Sequence, residues 1–215
     1  MLQLFTYFRS SAAYRVRIAL ALKGLSYESR FVHLLRDGGE QHQPGFADLN
    51  PAQLVPVLLD GELTLTQSLA IMEYLEEALA GPPLLPSDIA ERARVRSLAQ
   101  SIACDIHPLN NLRVLQRLEK THGLDAQARS DWYRHWVRAG FEALEAQLSR
   151  SSLTGLCCHG DTPTMADCCL VPQVFNAQRF NVTLDAYPTL RRIHEHCMAL
   201  PAFAAAAPDA QADAT

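Results

Sequence analysis

The rhythm of apolar and polar positions changes near residue 80. Residues 2–8 form a short apolar and aromatic run, which predicts a buried strand. Arg9, Ser10 and Ser11 follow. Tyr14, Ile18, Ala21 and Leu22 then recur at helical spacing as far as Lys23-Gly24, where glycine suits the position just past a helix end. Tyr27 to Leu34 is a second strand candidate. Residues 36–46 are polar and contain Gly38-Gly39 and Pro44, which predicts a loop with at most a short irregular helix. Asn50-Pro51 and then Val55 to Gly61 read as a turn into a strand ended by a hairpin, with Leu63 to Leu65 as its partner. Gln67-Ser68 opens a helix in which Ile71, Tyr74, Leu75 and Leu79 share a face. The order β-α-β, then β-β-α, predicts an α/β domain over residues 1–80.

Residues 81–87 read as a linker, because Pro82, Pro83 and Pro86 cannot continue a helix. From 88 to 215 the periodicity is helical, predicting an all-α second domain. Asp88 and Glu91 suit an N-cap and its N3 partner, and Val95, Leu98, Ile102, Ile106 and Leu109 mark one face of a long helix that Pro108 should kink. A helix from about 126 to 148 offers Trp132, Trp136, Phe141 and Leu144 as core residues. Thr164 to Asp167 forms a capping box for a helix apolar nearly all round, hence central, and a shorter helix follows Pro188. The tail from Ala204, rich in Ala and Asp, is expected to fray.

Composition adds constraints. With 215 residues, 48% hydrophobic and 20% charged, the chain can bury cores without staples. A net charge of −4 offers no global field for nucleic acid or an anionic membrane, so an anionic ligand must be caught by local arginines. The N-terminus meets Arg9 too soon for a signal peptide, and no run of about 18 apolar residues exists to span a membrane. The six cysteines, four of them in adjacent pairs, show no CxxC spacing. They read as reduced thiols in a cytoplasmic protein, with no metal site.

Three positions carry candidate chemistry. Ser10-Ser11 stands at a helix N-terminus, where free N–H groups and the helix dipole favour an anion, although a plain N-cap is the commoner use of such a serine. Val55-Pro56 opens a strand after a polar turn. A cis bond there would turn the Val55 backbone outward for a peptide ligand, and a trans bond is the ordinary alternative. Ser68 can cap its helix or offer its N–H to a carboxylate. In the helical part, His107, Asn110 and Asn111 stand at i, i+3 and i+4 beside the Pro108 kink, so they are expected on one face, as a polar site or a solvated bend. Arg9 ends a buried strand and Arg179 lies late on the buried helix. Each would bind a carboxylate through its guanidinium fork or serve a structural ion pair.

The run from Tyr7 through Arg9-Ser10-Ser11-Ala12-Ala13-Tyr14-Arg15-Val16-Arg17 to Leu20 resembles the signature of zeta-class glutathione transferases. That class includes maleylacetoacetate isomerase and bacterial maleylpyruvate isomerase. The likeness continues through Asn50-Pro51, Val55-Pro56, Gln67-Ser68, Gly160-Asp161, Thr164 to Asp167, Leu170 to Val174, Arg179-Phe180 and Tyr187-Pro188, nearly the whole chain. It implies a thioredoxin-like N-terminal domain followed by a helical-bundle domain, glutathione as cofactor, and a homodimer. It implies a catalytic Ser10 assisted by Ser11. Gln41, Val55, Gln67, Ser68, His107 and Asn111 would contact glutathione, and Arg9, His107, Asn110 and Arg179 a dicarboxylate with a maleyl double bond. The signature usually carries cysteine where this chain has Ala12, which leaves glutathione itself as the nucleophile. The implied reaction is cis–trans isomerisation of maleylacetoacetate in aromatic amino-acid breakdown. Maleylpyruvate of the gentisate route and general conjugation of small electrophiles are the alternatives.

Overall fold

In the computed structural model, which describes residues 1–214, β1 (Leu2–Thr6) buries Leu2, Leu4 and Thr6 at alternate positions. Then follow α1 (Ser11–Leu22), β2 (Tyr27–Phe31), the short α2 (Pro44–Leu49), β3 (Val57–Asp60), β4 (Leu63–Thr66) and α3 (Ser68–Ala78). The sheet has the order β2-β1-β3-β4. Leu4 faces Ser29 in the parallel β1/β2 ladder and Leu58 in the antiparallel β1/β3 ladder. β3 and β4 form the predicted hairpin, with Leu58 opposite Leu65. Helix α1 is buried along almost its whole length, packed by α3 and by α9 (Pro201–Ala206).

β1 ends at Thr6, two residues short of the apolar run. The Tyr7 and Phe8 carbonyls are taken by Arg17, at 3.3 and 3.0 Å, instead of a neighbouring strand. β2 likewise stops at Phe31 rather than Leu34. Residues 36–42 form two single 3₁₀ turns before α2, close to the irregular loop expected.

The chain forms two compact units, one comprising Met1–Leu84 and the residues from Ala199 on, the other Leu85–Met198. The expected frayed tail is therefore ordered and packs with the first unit. Phe203 is fully buried, the Tyr14 hydroxyl donates to its carbonyl at 3.3 Å, and Arg17 Nε donates to Ala206 O at 3.0 Å. Two arginine and tyrosine donors holding main-chain carbonyls outweigh the low apolar content of the tail. Residues 81–84 of the expected linker belong to the first unit and are tied down there. Lys23, its side chain 1% exposed, pairs with Glu76 at 3.6 Å and donates to Pro82 O, and Leu84 N–H donates to Glu76 Oε2 at 2.7 Å. Gly81 has φ +138°, and a Cβ there would meet Lys23 O at 2.7 Å.

The second unit contains α4 (Ile89–Gln100), α5 (Leu112–His122), α6 (Ala126–Ser149), α7 (Met165–Arg179) and α8 (Pro188–Met198). α7 is central, and Thr164 and Asp167 form its capping box. Burial pushes the Asp167 carboxyl upward, while N–H groups of Cys158 and Thr164 and the Thr164 hydroxyl bond to it. The core face of α6 is Tyr133, Val137, Phe141, Leu144 and Leu148. Trp132 and Trp136 are only half-buried, because the Trp132 indole reaches out to donate to Leu109 O at 2.9 Å. Among the described residues, no helix is long and apolar enough to cross a membrane.

Candidate active site

Ser10 is the N-cap of α1, with φ −69° and ψ 113°. Its Oγ accepts the Ala13 N–H at 3.2 Å, its N–H donates to Tyr7 O at 2.9 Å, and its carbonyl accepts the Tyr14 N–H at 2.8 Å. The hydroxyl thus spends a lone pair on the helix and keeps its proton to donate. Ser11, the first helical residue, is buried. Arg9 stands in the turn, exposed, with its guanidinium carbon 4.8 Å from the Phe8 ring centroid.

The turn is braced from below by Arg17, which is fully buried and donates to Thr6 Oγ1, Tyr7 O, Phe8 O and Ala206 O. Burial lowers its pKa to about 10, and Tyr27, Asp213 and Tyr14 draw it back up. It remains a cation at neutral pH.

A second helix N-terminus lies in the same unit. Gln67 caps α3 with φ +70° and ψ 116°, a conformation that costs a non-glycine residue roughly 1–3 kcal/mol and concentrates at functional sites. Ser68 is buried, and its Oγ accepts from Arg15 Nη1 at 3.2 Å, so a guanidinium from α1 reaches the first turn of α3. Val55 packs in one cluster with Tyr7, Phe8, Val32, Phe46 and Val57, which sets the loop before β3 beside the turn before α1. The Val55–Pro56 bond is cis. Buried Asn50 pins that loop, donating to Leu54 O at 2.7 Å and accepting the Ala52 N–H at 3.1 Å.

Gln41 is 7% exposed rather than a solvated loop residue. Its Nε2 lies 3.4 Å from Leu34 O and 3.0 Å from His42 Nε2, while Oε1 is buried with no partner among the described residues. The first unit therefore offers two helix N-termini with positive charge behind them and a buried carboxamide oxygen able to accept an N–H. That set fits a tripeptide bearing carboxylates and a thiol. Sequence reasoning passed over Arg15 and Arg17. Their signal was present, since Val16, Ile18, Ala19 and Leu20 make that stretch of α1 apolar on several sides, where a charge must find partners.

In the second unit the expected long helix does not run through His107. After α4 the chain makes a π turn over Ser101–Ile106, with His107 N–H donating to Ile102 O at 2.9 Å, then a 3₁₀ turn over Pro108–Asn110. Asn111 caps α5 instead, its Oδ1 accepting the Arg113 N–H at 3.1 Å. The i, i+3, i+4 face is lost with the helix. His107 Nε2 and Asn111 Nδ2 still lie 3.4 Å apart, but Asn110 turns inward, 6% exposed, toward Tyr133 O. Gly140 of α6 leaves room for this segment: a Cβ there would run into the Ile106 side chain. Arg179 is the last residue of α7 and is exposed, contrary to its expected burial, because the helix end brings it out between Phe175 and Phe180, 5.9 and 6.0 Å from their rings.

Cys157 and Cys197 sulfurs and an Asp167 oxygen lie within 4.8 Å of one another, all buried. The Asp167 oxygens are already engaged by the capping donors, so the trio reads as core. Burial pushes the Cys158 and Cys168 thiols up, keeping them protonated.

Residues 1–77 match the family model for the glutathione S-transferase N-terminal domain. A probable maleylacetoacetate isomerase of Vibrio cholerae is 54% identical over 211 residues, covering 98% of this chain and 97% of that protein. A zeta-class bacterial maleyl pyruvate isomerase, solved in its holo form, superposes with a TM-score of 0.96 at 48% identity, covering 99% of this chain and all of that one. A maleylacetoacetate isomerase from Methylobacterium extorquens AM1, solved with bound malonate and GSH, gives a TM-score of 0.96 at 45% identity and 99% coverage of both chains. The thioredoxin-like sheet, the two helix N-termini and these full-length likenesses agree, and the chain belongs to the zeta class of glutathione transferases, among the maleylacetoacetate and maleylpyruvate isomerases.

Proposed function

We propose that the chain is a glutathione-dependent cis–trans isomerase that converts maleylacetoacetate to fumarylacetoacetate in the breakdown of aromatic amino acids such as tyrosine. The observation that carries this reading is the Ser10 hydroxyl, which caps α1 through its lone pair and retains a proton to donate. When bound, glutathione would supply a thiol nucleophile for the maleyl double bond and be regenerated at the end of the isomerisation.

The protein's first task is to keep that sulfur ionised. A thiol of pKa about 8.5 must fall by about 2 units to be mostly thiolate at neutral pH, which is worth roughly 2.7 kcal/mol. A hydrogen bond from Ser10 to an anion contributes about 1.5–3 kcal/mol, and the α1 N-terminus about 0.3–1. Together they suffice without a cysteine at position 12. Ser11 supports the same helix start. Gln67 and Ser68 would hold the γ-glutamyl carboxylate at the α3 N-terminus with Arg15 behind them, Val55 the cysteinyl backbone, and Gln41 an N–H through its unpartnered oxygen. Arg9 and Arg179 are exposed guanidinium groups, each able to take one carboxylate bidentately. His107 and Asn111 would meet the bound molecules through their polar tips, whereas buried Asn110 acts by shaping the 3₁₀ turn. A cytoplasmic homodimer belongs to the same proposal. Free cysteines, five of them buried, suit a reducing compartment, and the dimer is what membership of the class implies.

The second reading is maleylpyruvate as substrate. It is favoured by the His107–Asn111 pairing beside Pro108 and by the likeness to the maleyl pyruvate isomerase. Absorbance-followed isomerisation of both substrates with catalytic glutathione separates the two. Turnovers far exceeding the glutathione supplied are expected. Consumption of glutathione one for one would replace the isomerase with a conjugating transferase. Ser10→Ala is expected to lower kcat roughly 10- to 100-fold, with KM for glutathione changing less than about threefold.

A further inference from the structure

The carboxylate of Asp213 lies 205 residues along the chain from Phe8, yet its Oδ2 accepts the Phe8 N–H at 3.0 Å. Phe8 precedes Arg9 and Ser10, the turn that ends in the α1 cap. That turn has three main-chain polar groups just upstream of Arg9: the Tyr7 carbonyl, shared by Ser10 N–H and Arg17; the Phe8 carbonyl, taken by Arg17 Nη2; and the Phe8 N–H, taken by Asp213. The tail that delivers Asp213 is itself anchored. Phe203 is fully buried and its carbonyl accepts from Tyr14, Ala206 O accepts from Arg17 Nε, and Gln211 Nε2 donates to Ala205 O and Ala207 O at 3.0 Å each. Ala214 packs against the cluster containing Tyr7, Phe8 and Val55. A single guanidinium, Arg17, thus bonds both to the serine turn and to the segment that grips it from the other side.

We infer that Asp213 is a positioning residue for the isomerase reaction: by holding the Phe8 N–H, it fixes the turn so that the Ser10 hydroxyl points its proton at the glutathione sulfur. The inference rests on the reading of Ser10 as the thiolate's donor. An N-cap hydroxyl can rotate and its turn can rock, and a hydrogen bond to a developing anion weakens steeply with misalignment. Phe8 N–H has no strand partner, since β1 ends at Thr6, so without an acceptor it would face water or stay unpaired. The carboxylate also stands near the Arg17 cation and helps keep it charged.

The test uses the full chain with Asp213→Ala, Asp213→Asn and Ser10→Ala, and two readouts apart from turnover. Amide exchange of Phe8 in the ligand-free protein reports the grip. Ultraviolet titration of the thiolate of bound glutathione reports its effect. Asp213→Ala should speed exchange at Phe8 at least about tenfold and raise the bound thiol's pKa by about one unit, a roughly tenfold loss of thiolate below it. It should lower kcat several-fold at neutral pH, leaving KM for glutathione within about twofold. Asp213→Asn keeps an oxygen that accepts the same N–H, and should return the titration to within about 0.3 unit of the parent. A merely structural role would lower the melting temperature without moving the thiol. An unshifted titration in Asp213→Ala, with a shift in Ser10→Ala, overturns the positioning role alone. Equal shifts in both Asp213 variants also overturn it, by making charge rather than the held N–H the cause. An unshifted titration in Ser10→Ala removes the serine reading, and the role of Asp213 falls with it.

Discussion

The turn at Ser10 and the helix break at His107 are both places where a helix meets a polar cluster, and they are built in opposite ways. Around Ser10 the main-chain groups of Tyr7, Phe8 and Ser10 are bonded, with a fully buried guanidinium beneath. Around His107 the backbone passes through a π turn and a 3₁₀ turn, Asn110 Nδ2 reaches Tyr133 O only at 3.4 Å, and Asn110 Oδ1 is buried with no partner among the described residues. A group that must steady a charge gains from a rigid, pre-oriented setting. The break at His107 is held instead by packing, with Ile106 lying directly against Gly140 of α6. Under the proposed function, the contrast would assign the thiolate chemistry to the first unit and substrate discrimination to the second.

The comparison can be broken most forcefully at Arg17. Arg17→Ala strips donors from Thr6, Tyr7, Phe8 and Ala206 at once, and should lower unfolding free energy by about 3–5 kcal/mol in a urea titration. A loss below about 1 kcal/mol would mean the turn is held by something else. Next is Gly140→Ala, whose new methyl group must displace Ile106. A cost of about 1–3 kcal/mol is expected, with relief in the double variant Gly140→Ala/Ile106→Ala. No relief would detach the π turn from the α6 contact. The smallest effect belongs to Asn110→Leu. Removing a carboxamide that is half satisfied should change stability by less than about 1 kcal/mol. It should shift the ratio of kcat/KM for maleylacetoacetate over maleylpyruvate while leaving the bound thiol's titration untouched. A moved titration would abolish the division of labour.

Much of this was legible in the chain, for reasons that differ by residue. Ser10 at a helix start, the β3–β4 hairpin and the Thr164–Asp167 box are local signals, each decided within about four residues. The ordered tail was not legible, because its partners lie far away in sequence; the end of β1 depends on Arg17 nine to ten residues on, and the burial of Arg15 and Arg17 was signalled by their apolar neighbours but passed over. Tyr14 and Phe203 are 189 residues apart, as are Arg17 and Ala206. The π turn was missed for a different reason. Val95, Leu98, Ile102 and Ile106 keep a helical period whether the backbone is α or slightly unwound, so their pattern does not separate the two. Arg179 was misread because a residue's place on a buried helix says little about the last turn, where a long side chain escapes.

The return of the segment after Ala199 to the first unit also has a bearing on how the protein is made. Residues 1–84 leave the ribosome early, but the strip that covers α1 arrives only after all of Leu85–Met198 has been synthesised. At about 5–20 residues per second that delay is of the order of ten seconds, during which the α1 face under Phe203 and the Arg17 guanidinium lack their partners. During that interval the nascent first unit carries an uncovered apolar face and a buried-type cation without its Ala206 acceptor. A chain lacking residues 199–214 would keep every strand but leave the Phe8 N–H and the Arg17 guanidinium without the acceptors those residues supply.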